Sequence, residues 1–154
     1  MTRWIPALLA AAMAFASGIV QAQTLRWASQ GDPQTMDPHS QNEQLTNAMN
    51  GQVYEFLIAR DRKLELVPQL ATEWKQTSPL QWRMKLRPNV KFQDGTPFTA
   101  DDVVFSINRA KLPTSQIAVY ANAVGEVKKV DDLTVEFNLS QVNPIFLQHI
   151  NTLS

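Results

Sequence analysis

The chain has 154 residues, with 14 Lys+Arg against 14 Asp+Glu, two His and no Cys. That length holds one ordinary domain or a piece of a larger one, and a formal net charge of zero offers no basic surplus for nucleic acid. The missing Cys excludes a disulfide scaffold, a thiolate metal site, a Cys nucleophile and a Cys-linked lipid, and two His argue against a His-built metal centre.

Arg3 is the only charge before Arg26, and between them runs the apolar stretch from Ile5 to Ala16, followed by Ser17-Gly18-Ile19-Val20-Gln21-Ala22. A positive start, an apolar core and small residues before a cut are the three parts of a secretory leader. Residues 1–22 are therefore expected to be a signal peptide cleaved after Ala22. The competing reading is an uncleaved anchor, since Trp4 to Gln23 is about long enough to span a bilayer. Its second half is rich in Ala, Gly, Ser and Gln, which insert poorly. With no Cys after the cut there is no lipid anchor, and the expected location is a bacterial periplasm.

Thr24 to Ser29 reads as a first strand. Gly31-Asp32-Pro33 and Asp37-Pro38-His39 are turn clusters, because Pro fixes φ and Asp can bond its own backbone. From Glu43 to Phe56 the apolar residues Leu45, Ala48, Met49, Val53 and Phe56 recur at helical spacing, which predicts one face turned to a core. Leu57 to Ala59 and Lys63 to Val67 are short strands around Asp61-Arg62, and Ala71 to Gln76 follows. Gln81 to Arg87 alternates, with Trp82, Met84 and Leu86 on one side and Arg83, Lys85 and Arg87 on the other. That is the period of a half-buried antiparallel strand, with the basic side a solvated sheet face.

Asp94-Gly95-Thr96-Pro97 is a turn. Thr99 is placed as a helix N-cap, with Asp102 three residues on as a variant capping box. Asp101 and Asp102 suit the positive helix end, and Val103, Ile107 and Ala110 are its buried stripe. Val127 to Val130 and Leu133 to Leu139 form a hairpin around Asp131-Asp132, with Leu133, Val135, Phe137 and Leu139 on one face. Asn143-Pro144 opens a last helix, Asn as cap and Pro at the first position. Its apolar run, Ile145-Phe146-Leu147 with Ile150 and Leu153, is expected to lack a cover, so the chain reads as the opening portion of a larger α+β protein.

Candidate chemistry is sparse. Asp94, Asp101 and Asp102 are the densest carboxylate group, but turn and cap roles account for all three. A calcium loop would need ligands at alternate positions and a closing Glu, and neither is present. His39 is read as a turn residue and His149 as surface. There is no Gly-rich phosphate loop. Trp74 and Trp82 are core aromatics, and Trp27 is kept as a possible pocket wall.

The run Ala71-Thr72-Glu73-Trp74, the strand ending Leu86-Arg87, and the stretch Val90-Lys91-Phe92-Gln93-Asp94-Gly95-Thr96-Pro97-Phe98-Thr99-Ala100-Asp101-Asp102-Val103-Val104-Phe105-Ser106 resemble the extracellular solute-binding proteins of the peptide/nickel class, which serve ABC importers. Leu25-Arg26-Trp27, Met36-Asp37-Pro38-His39, Tyr54-Glu55-Phe56-Leu57 and Val130-Asp131-Asp132-Leu133-Thr134-Val135-Glu136-Phe137 fit the same resemblance. Gln93 departs from it where a His is common, and Ser78-Pro79-Leu80 replaces a more polar turn. The resemblance implies a two-lobed periplasmic-binding-protein fold that closes on its ligand. This chain would hold the start of lobe I (23–58) and an inserted subdomain returning toward lobe I (59–154), truncated before the second lobe.

The implied function is capture of a di- or oligopeptide, or a similar small solute, for an ABC permease in the inner membrane. The protein is then expected to act as a monomer, with no cofactor, no metal, no nucleic acid and no enzymatic step. By the same resemblance Gln41, Asn42, Glu43 and Gln44 would line the cleft through backbone pairing. Tyr120 matches, with a one-residue shift, a Tyr near the cleft. Two alternatives are a secreted hydrolase using Asp94 or Asp102 with His39, and a nonfunctional gene fragment.

Overall fold

The computed structural model describes Thr24, Arg26 and residues 28–153. The chain divides into two compact units, 1–30 and 31–154. The expected leader falls outside the described residues, as do Leu25 and Trp27. The described members of the expected first strand, Thr24, Arg26, Ala28 and Ser29, lie in no strand, because no strand among the described residues pairs with them.

The second unit is built on a four-stranded antiparallel sheet. In chain order its elements are α1 (Gln44–Asn50), β1 (Ile58–Arg60), β2 (Leu66–Pro68), β3 (Ala71–Ser78), β4 (Gln81–Leu86), α2 (Ala100–Ala110), α3 (Ala118–Ala123), β5 (Glu126–Asp131), β6 (Thr134–Asn138) and α4 (Phe146–Thr152). The strand order is β3-β4-β6-β5, and β1 and β2 form a separate two-stranded ribbon. This mixture of helix and antiparallel sheet is the expected α+β class.

Alternation in β4 sets the sheet's two faces. Met84 and Leu86 are buried while Arg83 and Lys85 are exposed. Met84 stands opposite Val135 and Trp82 opposite Phe137, so β6 adds its own apolar set to the same side. On the other side Arg83 pairs with Glu136 at 2.7 Å, and Arg87, just past the strand, with Glu55 at 3.0 Å. The basic side is thus a solvated, internally paired face. β3 is an edge strand whose pairing with β4 shifts register twice, between Ala71 and Glu73 and between Gln76 and Ser78.

Helix α2 follows its sequence signals closely. The Asp102 carboxylate accepts from the Thr99 backbone N–H at 2.8 Å, the return half of a capping box. Val103, Ile107 and Ala110 are buried, and the helix packs on β5 and β6. Asp101 turns outward to Lys129 of β5, 2.6 Å away. At the corner between α3 and β5, Gly125 has φ 75°, and a Cβ there would run into the Asn138 carbonyl oxygen. Only glycine meets both demands.

Two expectations change. The helix expected along 43–56 is α1, which stops at Asn50, where Gly51 sends its N–H to the Asn47 carbonyl at 2.9 Å. Its buried residues are Thr46 and Asn50, while Ala48 and Val53 are exposed. The apolar spacing is overruled by a polar network. Glu43 accepts from the N–H groups of Leu45 and Thr46 and from Thr46 Oγ1 (2.6 Å), and Thr46 Oγ1 accepts from the Gln34 N–H.

The second change concerns α4. It begins at Phe146, with Asn143 Oδ1 accepting from the Ile145 N–H in the preceding turn. Its apolar face is covered. Phe146, Ile150 and Leu153 are buried, Phe146 stacks on Trp82 with centroids 5.0 Å apart, and it meets Phe137 edge-on at 5.4 Å. Asn151 ties the helix to β1 by donating to the Ile58 carbonyl. The cover comes from Trp82 of β4 and Phe137 of β6, both earlier in the sequence. His149, expected at the surface, is half-buried, with Nδ1 3.0 Å from Asn143 Nδ2.

Candidate functional site

The turn at Asp37-Pro38-His39 is locked to the last turn of α2. Arg109 donates from Nη1 to Asp37 Oδ1 at 2.9 Å and from Nη2 to Oδ2. Arg109 Nη1 also lies 2.8 Å from His39 Nδ1, which must accept there. Asp37 Oδ1 receives the His39 N–H as well, and the His39 carbonyl accepts from Gln116, just before α3. Bonding to Arg109, then to the His39 backbone, holds the Asp37 carboxyl down at about 2. His39 is 4% exposed, so it is a buried strut of this turn, as the turn reading expected.

From that anchored turn the chain runs through Gln41, Asn42 and Glu43 in no helix, strand or turn, with Glu43 extended at φ −122° and ψ 138°. Among the described residues the backbone N–H groups of Gln41, Asn42 and Glu43 make no hydrogen bond. Unclaimed amides on extended backbone are what a strand-adding partner needs.

The side chains have other tasks. The Glu43 carboxylate caps α1, and its bonds to Thr46 hold its pKa below the usual range. Asn42 Oδ1 accepts from Asn47 Nδ2. Gln44, the first residue of α1, is exposed. Tyr120 sits on α3, half-buried, its ring 5.8 Å from that of His149. The segment before α3 meets the His39 turn through Gln116, and Tyr120 on α3 lies beside His149. Trp27 lies outside the described residues.

Two hollows flank these elements. One, of about 210 Å³, opens beside Pro38, Asn47, Asn50, Phe56, Ile117, Asn151 and Thr152. The other, of about 480 Å³, is bordered by Val119, Asn122, the 140–145 segment and His149. Asn50 lies off the apolar spacing of Leu45, Ala48, Met49, Val53 and Phe56, and its burial carries no local sequence signal.

The residues of the hydrolase alternative are each engaged separately. Asp94 accepts from Thr96, Asp102 from Thr99, and His39 faces Arg109. Among the described residues no group of His, Asp or Glu could hold a metal, and no helix is long and apolar enough to cross a membrane.

The chain belongs to a family of solute-binding proteins. Residues 65–154 match the family described as "Bacterial extracellular solute-binding proteins, family 5 Middle". The glutathione-binding protein GsiB of Pectobacterium atrosepticum is 28% identical over 151 residues, covering 96% of this chain and 29% of that protein. GsiB of Escherichia coli K12 is 30% identical over 117 residues, covering 73% of this chain and 23% of its own.

Among solved structures, the unliganded open form of the periplasmic murein tripeptide-binding protein MppA superposes with a TM-score of 0.74 at 29% identity, over 80% of this chain and 28% of that one. NikZ of Campylobacter jejuni, in complex with Ni(L-His), gives a TM-score of 0.70 at 27% identity, over 80% and 25%. The fold is therefore that of part of a periplasmic binding protein. The chain spans less than a third of the length of these relatives.

Proposed function

We propose that this chain is the front of a periplasmic substrate-binding component of an ABC importer, which captures a peptide or similar small solute by lobe closure and passes it to an inner-membrane permease. One observation carries the reading: the three unclaimed backbone amides from Gln41 to Glu43, held between the Arg109-locked turn and the Glu43-capped helix. Such an edge gives affinity for an extended peptide with little side-chain selectivity. The names of relatives that bind glutathione, murein tripeptide or nickel-histidine support small cargo of this kind. On this reading residues 1–22 are the export signal, 23–58 begin lobe I, 59–154 form the inserted subdomain, and the protein works as a monomer without chemistry on its cargo.

One lobe holds part of a clamshell's contacts, so the chain alone should bind in the millimolar range. Titrating it with glutathione and with trialanine, followed by backbone amide NMR, should shift Gln41 to Glu43 saturably and leave the peptide intact. Hydrolysis of the peptide, or shifts confined to Asp94 and Asp102, would overturn the reading, as would micromolar affinity for the single lobe.

A further inference from the structure

His39 is 4% exposed, and the atom that meets Arg109 is its Nδ1, 2.8 Å from Nη1. A guanidinium only donates, so this ring nitrogen offers a lone pair and stays unprotonated while the contact lasts. The main chain of the same residue carries the turn. Its N–H donates to Asp37 Oδ1 at 3.0 Å, and its carbonyl accepts from the Gln116 N–H at 2.9 Å. One residue thus closes the junction between the turn, α2 and the segment before α3.

A proton on Nδ1 would reverse the sign of this contact. Two donors and two positive charges would face each other at hydrogen-bond distance, with little water between them. Asp37 is the anion of the cluster, but its oxygens already receive Nη1 and Nη2 of Arg109 and the His39 N–H, so its charge is matched by the guanidinium. Tyr54 also acts on Arg109; its hydroxyl donates to the Met36 carbonyl, and a phenol is uncharged in acid.

The magnitudes favour opening. An imidazole in water takes its proton near pH 6.5, so at pH 4.5 the protonated form is favoured about a hundredfold. The lock is a partly exposed ion pair with its hydrogen bonds, and resists by a factor of about 5–30. Asp37 stays ionised at that pH, since it protonates at about 2. The stability that neutral His39 contributes is full above about pH 6.5 and declines as pH falls below it.

We infer that His39 is an acid-released latch: neutral, it holds the 37–39 turn on α2; protonated, it leaves Arg109 and frees the turn that launches Gln41 to Glu43. Control of cargo by this latch rests on the reading of Gln41 to Glu43 as the peptide edge, whereas the latch itself does not.

The test follows the whole chain by NMR at pH 7.5 and pH 4.5. At pH 7.5 the His39 nitrogen shifts should show a bare Nδ1 and the proton on Nε2. At pH 4.5 both nitrogens should carry protons, and protection of the Gln116 amide should have fallen at least about fivefold. His39→Gln keeps an acceptor for Arg109 and has nothing to titrate, so its Gln116 protection should not change. If that variant fails to fold, Arg109→Met decides, because without the facing cation His39 should gain its proton at a higher pH. Four results each overturn the latch: a proton on Nδ1 at pH 7.5, an imidazole still neutral at pH 4.5, the same loss of protection in His39→Gln, or an unchanged His39 titration in Arg109→Met. Adding glutathione at each pH tests the link to cargo. Shifts at Gln41 to Glu43 that weaken in acid in the native chain but not in His39→Gln support it, and equal shifts at both pH values refute it. No shift at either pH, with the latch observed, overturns the peptide-edge reading and leaves the latch standing.

Discussion

Arg109 grips both carboxylate oxygens of Asp37 across 72 positions of sequence, and the same guanidinium reaches His39. The interaction joins α2, which rests on the sheet, to the turn that launches Gln41 to Glu43. Arg109→Met should therefore loosen that segment as well as weaken the fold. Both partners are about a third exposed, so solvent offsets part of the Coulombic gain. We expect a loss of about 1–2 kcal/mol in urea unfolding, with faster amide exchange at His39 and Ser40. Unchanged exchange there would separate the turn from α2.

Acid should dissolve the same lock. The Asp37 carboxyl ionises at about 2 in the fold, below its ordinary value of 3.8. The stability it contributes is full above that ordinary value and is lost as pH falls toward 2. Glu43, Asp94, Asp132 and Glu136 are lowered as well and act in the same direction. The melting temperature should fall between pH 4 and pH 2, less steeply in Arg109→Met. Parallel slopes for the two proteins would show that Asp37 contributes nothing to acid sensitivity.

Two glycines with positive φ should respond differently to a methyl group. Gly95 has φ 90° with open space around its Cβ position, so Gly95→Ala carries only backbone strain, about 1–2 kcal/mol. Gly125→Ala adds a collision with the Asn138 main chain to a similar strain. It should be the more destabilising by at least about 1 kcal/mol in chemical denaturation. Equal losses would mean that the corner can shift to accept a side chain.

Phe146→Ala tests whether α4 belongs to the core. Its ring packs on Trp82 and Phe137, and removing a buried Phe costs about 3–5 kcal/mol. A loss below about 1 kcal/mol, with Trp82 fluorescence unchanged, would make α4 an appendage.

Where local chemistry decides, the sequence was readable. Alternation in Gln81 to Arg87, the cap at Thr99 and the hairpin at Asp131-Asp132 all emerge within a residue or two, because their determinants lie within a few positions. α1 departs from the apolar spacing because Glu43 caps it and bonds Thr46, and its buried residues are the polar Thr46 and Asn50. The cover of α4 was hidden because Trp82 and Phe137 reach it only through tertiary packing. Of the candidate site, the resemblance supplies the expectation of an extended run from Gln41 to Gln44, and Gln44 instead opens α1 because Glu43 caps the helix there. The occupation of Glu43 by capping, the placing of Tyr120 beside His149 and the burial of Asn50 depend on contacts that no local pattern encodes.

The twice-broken register of β3 bears on what the sheet can recruit. An outer strand of even pitch is a template on which any stretched polypeptide can crystallise, whereas one that kinks at both ends offers no run long enough to copy. The outer edge of this sheet is thereby a poor seat for the matching strand of a second copy of this chain.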